Sequence, residues 1–375
     1  MRILAASGFE AGSQFASVIN PVKNAQGFAS LGHQVTFICR QSQKGALSPQ
    51  ELAEIYGLKY PMRWIQLPLK LLDRYRVDEH WGFARASLPY MLLLRPDVIY
   101  ARSYIFPYLS SKLGIPTIAE SHADKQVSTP EFFKLIEATR KHKALRLWVT
   151  MSDELANHYQ SLGVPKEKLF VLPNGVDFPL YAKPEELPPC PFNTKAKINV
   201  VHAGHLYDVN GIPTVLQAAA LLPEAHFHFV GGWDEDIQRH QNTAARLGLN
   251  NITFYGLKPQ KEVPPFQWYA DALLLPYSQH HPRATWMCPL KLGEYLASGT
   301  PVIATDIPAV RKLVSDQEVH FIAPDDPNAM AEGIRRVVHD RSYAQRLVNQ
   351  ALRKAEALSF EHRAQNILRR GGFSS

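Results

Sequence analysis

Lys291 and Glu294 stand three residues apart in residues 289–304 (PLKLGEYLASGTPVIA), which read as a short helix, a Gly-Thr-Pro break and an apolar strand. Residues at i and i+3 share a helix face, so both side chains can address one ligand. A cation suited to phosphate beside a carboxylate suited to sugar hydroxyls is the pair that a nucleotide sugar requires. Gly204 is a second candidate, placed after an apolar run and before a helix. Lacking a side chain, it would let backbone N–H groups approach a diphosphate.

These residues need elements to position them, and the sequence alternates strands with helices. Residues 2–6 read as a strand, 17–31 as a helix and 33–39 as a second strand. Strands at 97–101, 116–120, 147–151 and 169–172 continue the series, with a helix over 104–113. A new series starts at 198–204, with a helix over 212–222 and strands at 226–231, 252–255, 272–275, 302–304 and 319–322. Short apolar runs separated by helices mark parallel strands covered on both faces. Two such series predict an α/β protein with two doubly wound, Rossmann-like sheets.

Residues 178–193 hold five prolines and cannot continue a helix or a central strand. The expected organisation is an N-terminal domain over 1–178, a linker over 179–195, a C-terminal domain over 196–357 and a last helix over 358–375. Doubly wound sheets bind ligands at the carboxyl ends of their strands, so the expected site is a central cleft faced by both domains.

Composition narrows the function classes. The chain has 375 residues, of which 46% are hydrophobic and 20% charged, as in soluble globular proteins. Three scattered cysteines form no disulfide framework, which points to a reducing cytosol. The start reads as a strand rather than a signal peptide, and no run is apolar enough to span a membrane. Net charge is +7. The basic residues are scattered without interleaved aromatics, which argues against nucleic acid as partner. Residues 64–76 and 132–148 mix cations with large apolar side chains; a helix on a soluble core is the preferred reading, a bilayer surface the alternative. Asp234-Glu235-Asp236 falls where acidic residues serve a helix start. His226/His228 and His280-His281 lack partners at ligand spacing, so no metal site is expected.

The order of several passages resembles a known family, the two-Rossmann (GT-B) glycosyltransferases, and within them retaining family 4, the glycosyl transferases group 1. Ser152-Asp153-Glu154-Leu155 leading to Pro173-Asn174-Gly175-Val176-Asp177 resembles the family's serine-led helix and its exit to the linker. His202-Ala203-Gly204-His205-Leu206-Tyr207 with Gly211 resembles the glycine loop of the second domain. Phe229-Val230-Gly231-Gly232, Phe254-Tyr255-Gly256 and the strand 270–277 follow in the family's order, as does the stretch 289–304. The resemblance implies that Gly204, His205, Asn210, Tyr255, Leu290, Lys291 and Glu294 hold the donor, with Glu294 on the ribose and Tyr255 beside the base. It implies that His122 lies next to the reacting carbon and that Gly12 belongs to an acceptor loop. Residues 359–364 resemble the last helix that crosses back to the first domain.

Two family cations of the glycine loop fall at His205 and Asn210, and the first of the paired glutamates falls at Trp286. Each lost electrostatic contact to a departing diphosphate can cost on the order of 3 kcal/mol of barrier. The expected function is transfer of a sugar from a nucleotide-sugar donor to a saccharide or lipid-linked acceptor hydroxyl, with retention, without metal and with no separate cofactor. A nucleotide-sugar epimerase of the same fold and a non-catalytic relative are the alternatives. A cytoplasmic location is expected, with peripheral contact at the inner face of the membrane as a further option.

Overall fold

A computed structural model describes residues 1–373 other than 14, 69–78, 125 and 195. The chain divides into two compact units, Met1–Gly175 with Ser359–Ser375 and Val176–Leu358. In the first, the strands are β1 (Arg2–Glu10), β2 (Gln34–Arg40), β3 (Arg63–Leu67), β4 (Val98–Ala101), β5 (Thr117–Glu120), β6 (Leu145–Thr150) and β7 (Leu169–Val171). They form one sheet in the order β3-β2-β1-β4-β5-β6-β7, every neighbouring pair parallel. All residues of β4 and β5 are buried because apolar side chains cover both faces. Phe28, Phe37, Tyr100 and Ile118 lie in one core, Phe83, Ile99, Ile105 and Phe106 in the other.

The helix Phe360–Arg370 packs on the helix Ala16–Ser30 inside this first unit. Ser359 caps it by accepting from the His362 N–H. Gly27 faces the Phe360 carbonyl so closely that no side chain fits there. Ala364, Ile367 and Leu368 complete the core against that face.

The two cation-rich apolar stretches are core elements of mixed type. Trp64–Leu67 belongs to the edge strand β3, with Trp64 stacked 6.1 Å from Tyr56, and residues 69–76 lie outside the described residues. Residues 132–148 divide between the helix Pro130–Lys141 and β6, because His142 turns the backbone extended (φ −108°, ψ 111°). Trp148 is fully buried. Among the described residues no helix is long and apolar enough to cross a membrane.

The second unit carries β8 (Ile198–Ala203), β9 (Ala225–Val230), β10 (Ile252–Phe254), β11 (Ala272–Leu275), β12 (Val302–Thr305) and β13 (His320–Ile322) in the order β10-β9-β8-β11-β12-β13. All are parallel, and both orders reverse direction beside the first strand of the unit. The proline-rich stretch read as a linker is built into this unit. Residues Phe178–Tyr181 form a short helical turn with Tyr181 buried, the Trp268 indole donates to the Tyr181 carbonyl at 2.7 Å, and Tyr269 donates to that of Pro188 at 2.6 Å. Phe192 stacks on His228 at 3.9 Å. Prolines exclude the segment from the sheet but not from packing over it.

Candidate active site

The helix Leu290–Ala297 is placed by its apolar side. Leu292, Tyr295 and Leu296 are buried, and Tyr295 fixes the helix to the end of β8. The Tyr295 hydroxyl accepts from the Ala203 N–H at 2.7 Å and approaches the Ala203 carbonyl at 3.2 Å. Lys291 and Glu294 therefore project on the remaining face, one turn from a strand end.

That strand end is a floor of glycines. Gly204 (φ +133°) and Gly231 (φ +115°) hold backbones closed to ordinary side chains. A Cβ on Gly231 would come within 2.5 Å of the Gly204 carbonyl. The Gly204 N–H donates to Val230 and the Gly231 N–H to Gly256, each at 2.8 Å. The Gly204 amide itself is thus spent within the sheet end. What the missing side chain supplies is room, and Lys291 uses it: Nζ lies 2.8 Å from the position of an absent Cβ.

The Lys291 ammonium is buried, without a hydrogen-bond partner, and 5.2 Å from the centroid of the Tyr277 ring. Burial lowers its pKa to about 8, against the attraction of Glu294. Burial likewise lifts Glu294 to about 7, opposed by the Tyr181 hydroxyl and by Lys291 and reinforced by Asp177. A buried, unpartnered cation beside a carboxylate that is half ionised near neutrality is costly in the free protein. An anion at the glycine floor would relieve it.

His205 follows Gly204 and is exposed. Its ring stacks near-parallel with Tyr207 (5.2 Å, 14°) and Trp233 (5.7 Å, 26°). Partial desolvation of the ring and the nearby Lys291 lower its pKa, against the pull of Asp236. Asn210 is buried, and its amide donates to the His205 carbonyl at 2.8 Å; it shapes the loop. Tyr255 is partly buried, its ring 4.7 Å from Phe266 and its hydroxyl 2.9 Å from His228 Nδ1. Leu290 opens the helix and is partly exposed. Asp234, Glu235 and Asp236 occupy the first turn of the helix Asp234–Arg246 without a side-chain cap, and Asp236 accepts from Arg239 at 2.7 Å. Among the described residues no group of three or more His, Cys, Asp or Glu is gathered to hold a metal.

In the first unit His122 is held from both sides. Arg102 donates to Nδ1 at 3.0 Å, and Nε2 faces Glu120 Oε1 at 3.0 Å. Those partners assign a neutral ring with the proton on Nε2. Burial and Arg102 bring its pKa to about 4, against the pull of Glu120. Glu120 is fully buried; burial alone would raise its pKa, and the Arg363 guanidinium overrides it, holding the carboxyl well below its usual range. Tyr100 donates to Glu120 Oε2 at 2.6 Å and Arg363 to the same oxygen at 2.9 Å. Arg363 also donates to Asn24 and to the Pro173 carbonyl. Neither Glu120 nor Arg363 was singled out from sequence as positioning His122; the Glu-x-His spacing on a strand end was the signal available. The Gly12 N–H donates to Tyr56 at 2.9 Å and φ is +86°, so Gly12 serves a turn.

Comparisons with known proteins identify the family. Residues 23–178 match the family described as Glycosyltransferase Family 4, and residues 197–340 match Glycosyl transferases group 1. The chain belongs to this family of glycosyltransferases, one match falling on each unit. It is 26% identical over 171 residues to TuaH of Bacillus subtilis, a glycosyltransferase named for teichuronic acid biosynthesis, covering 45% of this chain and 42% of that one. It is 26% identical over 195 residues to WcaL of Escherichia coli, named for colanic acid biosynthesis, covering 50% and 46%. The chain thus spans about half the length of these curated relatives. Among solved structures, HepE of Anabaena in complex with UDP matches with a TM-score of 0.75 at 15% identity over 98% of this chain and 99% of that one. The fold is GT-B.

Proposed function

We propose that this protein transfers a sugar from a nucleotide-sugar donor to a hydroxyl of a growing polysaccharide or glycoconjugate. One observation carries the reading: the buried, unpartnered ammonium of Lys291 stands over Gly204 with Glu294 on the same helix face. In this account Lys291 neutralises the diphosphate, taking over from the cations absent at His205 and Asn210, and Glu294 holds the ribose. The first nucleotide to test is UDP, because the HepE structures hold UDP and UDP-glucose. Polysaccharide assembly is supported by the names of the relatives. Retention and independence from metal are carried over from the family resemblance.

His122 is proposed as a neutral group beside the transferred sugar, oriented by Glu120 and Arg102. Peripheral contact with an anionic membrane is supported by how charge divides between the units. The first holds 24 Lys and Arg against 15 Asp and Glu, the second 17 against 19. Leu92 and Leu93 of the first unit are 58% and 79% exposed. Incubation with a panel of nucleotide sugars, reading released nucleoside diphosphate, tests the reading. Release with one donor supports transfer; sugar isomerisation without release would establish the epimerase instead.

A further inference from the structure

We propose that Arg102 binds an oxyanion, a phosphate or carboxylate carried by the acceptor substrate, at the carboxyl end of β4. The proposal deepens the transferase reading and rests on it only for taking the ligand as the acceptor. In the order β3-β2-β1-β4-β5 the chain changes direction between β1 and β4, and doubly wound sheets open their ligand crevice at such a switch point. Arg102 is the first residue beyond β4. Its backbone ties the two strands together there: its N–H donates to the Ala6 carbonyl at 3.0 Å, and its carbonyl accepts from the Ser7 hydroxyl at 3.3 Å. The side chain is partly exposed.

The local charge selects the ligand. Glu120 is neutralised by Arg363 at 2.9 Å, and His122 between Glu120 and Arg102 is a neutral ring. Two guanidiniums against one carboxylate leave this cluster with one net positive charge. Arg102 gives one N–H to His122 Nδ1 at 3.0 Å, and among the described residues no carboxylate pairs with it. Asp124, which acts on the neighbouring Tyr104, takes the Gln126 N–H at 3.0 Å instead. The helix Ile105–Lys112 opens three residues after Arg102 with no acidic residue in its first turn, so its positive end adds to the same field. A guanidinium carries five N–H donors in a planar fork. With one held by His122, the others suit the paired oxygens of a phosphate or carboxylate. A neutral ligand would leave the charge unmet.

Calorimetric titration of the full chain in saturating UDP, which fills the Lys291 site, tests this with three probes: glucose 1-phosphate, methyl glucuronide and the neutral methyl glucoside. At least one of the two anions should bind about tenfold or more tightly than the glucoside, and which one binds names the source of the charge. Arg102→Gln retains an amide donor for His122 but not the charge, and should abolish the preference; Arg102→Lys should keep part of it. UDP affinity should stay within about twofold in both variants. Binding of no probe by the wild type, equal binding of all three, or a preference that survives in Arg102→Gln overturns the proposal. So does a larger fall in UDP affinity in Arg102→Gln, which would assign the guanidinium to the nucleotide. Anion binding that depends on Arg102, in a protein that releases nucleoside diphosphate from no donor, would instead contradict the transferase reading and leave the subsite standing.

Discussion

The ammonium of Lys291 lies 2.8 Å from the position a Cβ would take on Gly204, so a side chain at 204 and a cation in that place exclude each other. Lys291 is supplied by a helix more than eighty residues further along the chain, and the Tyr295 contacts to Ala203 set their distance. Glycine loop and helix act as one unit.

Gly204→Ala should therefore damage binding and stability together. The φ of +133° disfavours any Cβ, and the added methyl displaces Lys291. A loss of about 1–3 kcal/mol in urea unfolding is expected. Nucleotide affinity should fall by about tenfold or more, one lost charged contact being worth roughly 1.5–3 kcal/mol. Wild-type affinity in the alanine variant would contradict the arrangement.

Arg363→Met should be among the most destabilising substitutions in the first unit. It strands the Glu120 carboxylate in a fully buried site and frees Asn24 and the Pro173 carbonyl. Breaking one side of a buried pair costs about 3–5 kcal/mol. Adding Glu120→Gln should recover part of that loss in denaturant unfolding; full additivity would show that the two groups do not interact.

His122 should remain neutral under working conditions. Its pKa of about 4 and its two partners predict an Nε2-protonated ring from pH 5 upward. Nitrogen-15 shifts of the imidazole test this, and an imidazolium signal at pH 6 would contradict it.

The raised pKa of Glu294 makes a stability prediction of definite sign. Between about pH 4.5 and 7 the unfolded chain has released this proton while the folded chain retains it, so stability falls as pH rises through that window. Lys291 acts in the opposite sense above about pH 8, where the folded state releases a proton that the unfolded chain still holds. The difference in Tm between wild type and Glu294→Gln should therefore change from pH 5 to 7, to the disadvantage of the wild type. A constant difference would remove the strain argument.

The parallel strands were legible because each is a short apolar run between turn signals, as at residues 98–101 and 272–275. The edge strand β3 was not, since Trp64 and the cations around it look like a helix face until Tyr56 and Phe37 pack against it. Lys291 and Glu294 could be chosen from their i, i+3 spacing on an apolar helix. Three-dimensional proximity was what the sequence withheld. Nothing in the order of residues places Nζ over Gly204, spends the Gly204 amide on Val230, or turns Asn210 and Tyr255 inward. The Arg363 guanidinium reaches Glu120 across 243 positions, a contact no local pattern encodes.

Isothermal titration of UDP into wild type, Lys291→Ala and Glu294→Ala tests the central claim most directly. Each substitution should weaken binding by about tenfold or more, a charged contact being worth roughly 1.5–3 kcal/mol. Equal affinity in all three proteins, with the wild type binding measurably, would contradict the claim that this helix face grips the nucleotide.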